Sequence, residues 1–174
     1  YAAIATVLAT LVGGLTAIAI ADRTPGGRIL DRIVLLPLGT SAVTIGLGFL
    51  IALDWPVDLR GSRWLVPIAH ALVAVPFVTR TMGPALAAVP GRLREAASSL
   101  GADPGTVWRL VEWPVVARAA MVGAGFSFAI SLGEFGATAF VARPADPTLP
   151  LLVYRALGRP GTGDVASAGS LLLM

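Results

Sequence analysis

The chain contains no cysteine and no lysine. The first absence excludes disulfides and thiolate metal sites. The second excludes a phosphate-binding loop of the kind that ends in Lys-Ser or Lys-Thr, so the chain has no means of hydrolysing ATP by that route. Charge is scarce as well. Only 13% of the 174 residues are charged and 56% are apolar, where soluble domains carry about 25% charged residues, so a soluble domain of this composition could not cover its surface. One histidine and three glutamates, Glu95, Glu112 and Glu134, leave little material for a metal centre or for a Ser-His-acid set. These shortages define a membrane protein and argue against an enzyme. All 13 basic residues are Arg. In so apolar a chain the net charge of +3 reflects Arg kept on cytoplasmic loops rather than a nucleic-acid surface.

What is present is a series of apolar runs, the first three free of charge and the fourth holding only Arg118 and Glu134. Residues 1–21, 33–53, 65–79 and 115–142 are each expected to form a membrane span, and residues 165–174 to begin another. A helix needs about 20 apolar residues to cross a hydrocarbon core about 30 Å thick. Pro37 lies inside the second span and is expected to be tolerated there, as prolines in membrane helices often are. The fourth run is too long for an upright helix and must tilt or break, with Gly133 and Gly136 as the break points. Gly123, Ser127 and Ser131 recur at four-residue spacing, which presents a smooth face to a neighbouring helix. Between the spans, Asp22–Arg32 reads as a Pro-Gly-Gly turn and Asp54–Trp64 as a loop with Trp55 and Trp64 at its ends. Leu149–Leu157 reads as a short re-entrant or interfacial helix. The chain opens and closes inside apolar runs, so it is expected to be a piece of a longer polypeptide, a single transmembrane domain cut at both ends.

Arg80, Arg92, Arg94, Arg109 and Arg118 make residues 80–118 the strongest Arg cluster, which assigns that segment to the cytoplasm. Counting back through the spans puts Asp22–Arg32 on the same side and Asp54–Trp64 outside. Within the cluster lies a polar passage, Arg94–Pro114. Pro90 can open a helix, Gly101 can end it in the left-handed conformation, and Leu93, Ala96, Ala97 and Leu100 form one apolar stripe between them. Asp103 is a good N-cap for a second helix with Pro104 at its first position. Val107, Leu110 and Val111 would form its apolar face, and Pro114 would close it. Such a hairpin is either a docking element or a plain interfacial connector.

Glu95-Ala96-Ala97, then Gly101, then Val111, Trp113 and Pro114 after nine intervening residues, resembles the EAA loop of ABC importer permeases, with Val111 in place of the family's Ile and Trp113 in place of its Leu. Ser127–Pro144 and Thr148–Leu157 are similar to the corresponding stretches of permeases for iron(III), thiamine, sulfate and molybdate. The resemblance implies an all-α, polytopic helix bundle of the type I importer class, a C-terminal half or core, with residues 83–114 as a cytoplasmic helix-turn-helix coupling loop. It implies that Glu95, Ala96, Ala97, Leu100, Gly101, Val111 and Pro114 couple the chain to an ATPase. The implied partners are an ABC ATPase dimer, a periplasmic or lipid-anchored solute-binding protein and a second permease half, in the cytoplasmic membrane of a bacterium. This chain would bind no cofactor and no metal of its own, ATP and Mg²⁺ sitting on the ATPase. The implied solute is iron(III), with thiamine, sulfate or molybdate as alternatives. A channel or secondary carrier needing no ATPase is the more distant rival.

Besides Arg118 near the start of the fourth span, two ionisable groups, His70 and Glu134, lie inside spans, where such groups are costly. Glu134 is either a pathway or gate residue or a hinge group bonding freed backbone amides. His70 is either a pathway group or an interhelical hydrogen-bonding one. With Ser127 and Ser131 they form the candidate translocation path.

Overall fold

The structure, a computed structural model, describes residues 1–21, 24–53, 61–143, 146–157 and 169. Among these the secondary structure is entirely helical. Helix α1 (Ala2–Ala21) leads to α2 (Pro25–Leu35), a 3₁₀ turn (Leu36–Gly39) and α3 (Ala42–Ala52). The long α4 (Leu65–Ala88) is followed by α5 (Gly91–Ser99) and α6 (Pro104–Val107). A π-helical turn (Trp108–Glu112) joins α6 to α7 (Trp113–Gly133), after which come α8 (Thr138–Val141) and α9 (Leu149–Leu157).

Three helices among the described residues are long and apolar enough to cross a membrane: α1, α4 and the continuous helix Pro104–Gly133. The last has 30 residues, about 45 Å at 1.5 Å per residue. That exceeds a hydrocarbon core of about 30 Å, so an upright helix of this length would extend past it.

Helix α4 is the centre of the bundle. Its inner face (Ala69, Ala74, Val75, Val78, Met82 and Leu86) is buried, with α1 packed on one side and α7 on the other. Both neighbours approach through glycine. A Cβ added at Gly13 of α1 would lie 2.7 Å from the Cβ of Val78, and one added at Gly123 of α7 would lie 3.2 Å from the Val78 Cα. Two helices therefore close on a single valine, at a distance only glycine permits. The Thr79 hydroxyl donates to the Gly13 carbonyl (3.1 Å) as well as to its own helix at Val75 (3.0 Å). Gly123, Ser127 and Ser131 all lie on the buried face of α7, where their spacing places them. A second cluster, built from Leu65, Val66, Ala69, Ala137 and Val141, joins the start of α4 to α8. There Gly46 of α3 allows a close approach, since a Cβ on it would meet the Ala137 backbone at 2.8 Å.

Four expectations are corrected. Residues 33–53 do not form one continuous helix: α2–3₁₀ and α3 are bent by 107°. The 3₁₀ turn carries Pro37, Thr40 is extended, and Ser41 caps a fresh helix by accepting from the Val43 amide at 3.3 Å. Asp22–Arg32 is not simply a turn, because Thr24 caps α2 by accepting from the Gly27 amide (3.0 Å) and Pro25 sits in the first helical turn. The span drawn at 65–79 continues to Ala88, so the first six residues assigned to the coupling loop belong to α4. Arg80 does not end it, because its guanidinium is paired at 3.1 Å with Asp31 of α2. Pro114 does not close the second hairpin helix, because the chain runs through it into α7. The run 115–142 breaks after Gly133, and α8 follows from Thr138. Leu149–Leu157 is helical, whereas Asp54–Arg60, including Trp55, and the span start at 165–174, apart from Gly169, lie outside the described residues.

The glycine contacts give a test. Gly13→Ala should destabilise the bundle by about 1–3 kcal/mol, the usual cost of overpacking, whereas Gly125→Ala, where an added Cβ meets nothing within 4 Å, should not. Thermal unfolding of the two variants in detergent measures the difference, and equal midpoints would contradict the packing described.

Candidate functional site

Two polar constellations lie at opposite ends of α4. The first is the hairpin formed by α5, α6 and the π turn. Pro90 is the N-cap of α5 rather than its first helical residue. The helix ends at Leu100, and Gly101 takes φ +86°. The Gly101 amide donates to Ser98 O (2.9 Å) and the Ala102 amide to Ala97 O (3.0 Å), the paired bonds of a Schellman cap. Asp103 then caps α6. Its Oδ2 accepts from the amides of Gly105 (2.9 Å) and Thr106 (3.2 Å), and its Oδ1 accepts from the Thr106 hydroxyl (2.5 Å). The Thr106 hydroxyl, then its amide, hold the Asp103 carboxyl below the usual carboxylate range, so this cap stays charged at neutral pH and weakens only in acid.

The π turn has a local cause. Pro114 has no N–H, and in a regular α-helix its ring would clash with the carbonyl four residues earlier. The turn before it widens instead, and the Trp113 amide donates to Trp108 O, five residues back. Trp108 packs against the bundle core and lies 6.2 Å, centroid to centroid, from Trp113. Glu112 on this turn forms an ion pair with Arg94 of α5.

The residues implied for ATPase coupling are gathered on this hairpin but are not packed within the chain. Glu95, Ala96, Gly101 and Pro114 are exposed, Ala97 and Val111 are half-buried, and Leu100 is 89% exposed. Leu93, Leu110 and Trp113 are exposed as well. Among the described residues Glu95 forms no ion pair. The brace inside the loop is Arg94–Glu112, a pair the sequence reading did not single out. Arg28, Asp31, Arg80, Arg94 and Glu112 line one cleft of about 1150 Å³ beside the hairpin, so α2 and the hairpin share one end of the bundle.

The second constellation surrounds His70. The ring is 1% exposed. Nδ1 lies 2.7 Å from the Ser131 hydroxyl of α7 and Nε2 lies 2.6 Å from the Thr138 hydroxyl of α8. Thr138 donates to the Glu134 carbonyl (3.0 Å), so its oxygen accepts from Nε2–H and Nδ1 accepts from Ser131. In the neutral ring this network places the proton on Nε2. Glu134 Oε1 accepts from the Ala137 amide at 3.0 Å, the geometry of a carboxylate bonding a backbone amide freed by the helix break. Three of the four candidate pathway residues thus meet across the α7–α8 break, on spans that had looked separate. Ser127 is fully buried near them in sequence, and its hydroxyl has no partner among the described residues. Thr138 was missed, because nothing local shows that the chain after the break turns back onto His70. Among the described residues no His, Asp or Glu group could hold a metal ion.

The chain belongs to the binding-protein-dependent transport system inner membrane component family, whose model matches residues 3–160. That is a family of transport permeases rather than enzymes, and this chain is a multi-pass member of it. It is 30% identical over 146 residues to a 2-aminoethylphosphonate transport system permease protein of Salmonella typhimurium, covering 83% of this chain and 54% of that one. It is 34% identical to a molybdenum transport system permease protein of Mycobacterium tuberculosis (99% and 70% covered) and 29% identical to a spermidine/putrescine transport system permease protein of Haemophilus influenzae (98% and 66%). The chain spans about half the length of the aminoethylphosphonate relative.

Replacing His70 by Ala would take the buried Ser131 hydroxyl's imidazole partner away and leave Thr138 only its bond to the Glu134 carbonyl, at a cost of about 1–3 kcal/mol. A double-mutant cycle of His70→Ala with Ser131→Ala, read by unfolding in detergent, should show a coupling of at least about 0.5 kcal/mol. Strict additivity would mean that the contact is not formed.

Proposed function

We propose that the chain is the membrane-spanning part of one permease subunit of an ATP-driven importer in a bacterial cytoplasmic membrane, and that its hairpin receives the ATPase. The observation that carries this reading is the exposed apolar and small-residue surface of α5 (Leu93, Ala96 and Leu100, with half-buried Ala97 beside them), held between the Gly101 and Asp103 caps. An interfacial connector has no need of two complete caps. A docking helix has, because an ordered surface loses less conformational entropy on binding. In this role Ala96 and Ala97 permit close approach, Gly101 sets the turn, and Glu95, without an ion-pair partner among the described residues, pairs with a basic group of the ATPase. Val111 and Pro114 carry the contact into the π turn. The remaining partners are a solute-binding protein on the opposite face, periplasmic or lipid-anchored, and a second permease half.

The solute is a small charged molecule. Relatives are named for an aminophosphonate, for polyamines, for molybdenum and for sulfate. None of these names is iron, so iron(III), with thiamine as its alternative, rests on the sequence resemblance alone. Glu134 lends iron no support, since its carboxylate is engaged by the Ala137 amide. The ligand found in the partner solute-binding protein would separate these solutes.

Docking is tested at Gly101. A β-branched residue is strained at φ +86°, whereas Asn tolerates this region. Gly101→Val should abolish co-purification of the ATPase and solute uptake, and Gly101→Asn should retain both in large part. An intact complex and undiminished uptake in Gly101→Val would sink the docking reading.

A further inference from the structure

A docking helix transmits force only if it cannot swing independently of the spans. Within the chain, α5 is tied to its neighbours by short backbone links, through Val89–Pro90 to α4 and through Gly101–Asp103 to α6, and by one side chain. Arg94 reaches in two directions. Its Nε donates to Glu112 Oε1 on the π turn, and its terminal nitrogen Nη2 donates to the Leu86 carbonyl in the last turn of α4 at 3.4 Å. One guanidinium therefore joins α4, α5 and the root of α7. The Glu112 side chain is 17% exposed and that of Arg94 41%, so the carboxylate is sheltered more than a surface pair and less than a core one.

The surroundings suit a strut. Trp108, four residues before Glu112 on the same π turn, is packed on the bundle core, so Glu112 stands on a segment that is itself anchored. The other ion pair on this cleft, Arg80–Asp31, ties α2 to α4 and does not touch the hairpin. Nothing else polar links α5 to α7 among the described residues.

We propose that Arg94 and Glu112 are positioning residues for coupling: their pair makes α5 and α7 move as one body, so that ATPase motion received at α5 reaches the translocation spans. The proposal rests on the docking reading above. Glu95, one residue from Arg94, faces outward to the partner, and Arg94 faces inward to the chain. The two neighbours thus divide the work of binding the ATPase and passing its motion on.

The test uses the intact transporter, with ATPase and solute-binding protein, reconstituted in vesicles. Glu112→Gln and Arg94→Gln should retain the ATPase at the wild-type level. The ATP hydrolysed per solute imported should rise about 5- to 10-fold, the lower part of the usual range of coupling effects. Arg94→Lys, which keeps a charge opposite Glu112, should stay close to wild type, and the exchange Arg94→Glu with Glu112→Arg should recover part of the loss. An unchanged ratio in both single variants would overturn the proposal. So would single variants that fail to assemble and are not rescued by the exchange, since the pair would then serve folding rather than coupling. Failure of the wild-type chain to bind the ATPase would instead refute the docking reading, so the two failures are distinguishable.

Discussion

Everything in this bundle depends on the contact at Val78. Helices α1 and α7 both press against it, each through a glycine, and at Gly13 even one added carbon would be too close to remain. In lipid the hydrophobic effect does not drive helices together, so close van der Waals packing must. The pinch at Val78 is where that packing is tightest, and Thr79, the next residue, adds a hydrogen bond from α4 to the α1 backbone. Interfaces packed this closely do not deform gradually. They move as bodies or repack between discrete states.

With α4 fixed in the middle, its two ends acquire different tasks. Toward the N-terminal end, His70 fastens the broken α7–α8 region through Ser131 and Thr138, a satisfied polar network where an unpaired group would be costly. Toward the C-terminal end, α4 offers the Leu86 carbonyl to Arg94. The hairpin is thus built out from the same helix that holds the spans together. A shift of the hairpin in a lever of this kind is felt at α4 and α7 together, as the proposed coupling role requires.

Features set by local chemistry were legible in the sequence. Gly101 and Asp103-Pro104 announce a helix stop and a helix start within a few residues, and the structure has both. The charge-free runs of α1 and α4, and the small-residue face of α7, follow from composition and spacing alone. What was not legible depends on contacts between distant segments or on competition between two local rules. Pro37 was read as a tolerated kink, yet the chain bends by 107° in that region, because Ser41 supplies a new cap just beyond it. Pro114 was read as a stop, yet the π turn lets the helix pass. Arg94 and Glu112 are separated by the whole hairpin turn, and His70 and Thr138 by three helices. No pattern in either neighbourhood discloses its partner.

The central claim is that α5 and α7 form one body. Because the chain has no cysteine, Ser98→Cys on α5 and Met121→Cys on α7, both exposed, can carry a spin-label pair with no background from this chain. In the assembled transporter the account predicts that the distance between the two labels is the same without nucleotide and with ATP trapped on the ATPase. A distance from Ser98 that changes on nucleotide binding while α7 stays in place would contradict it.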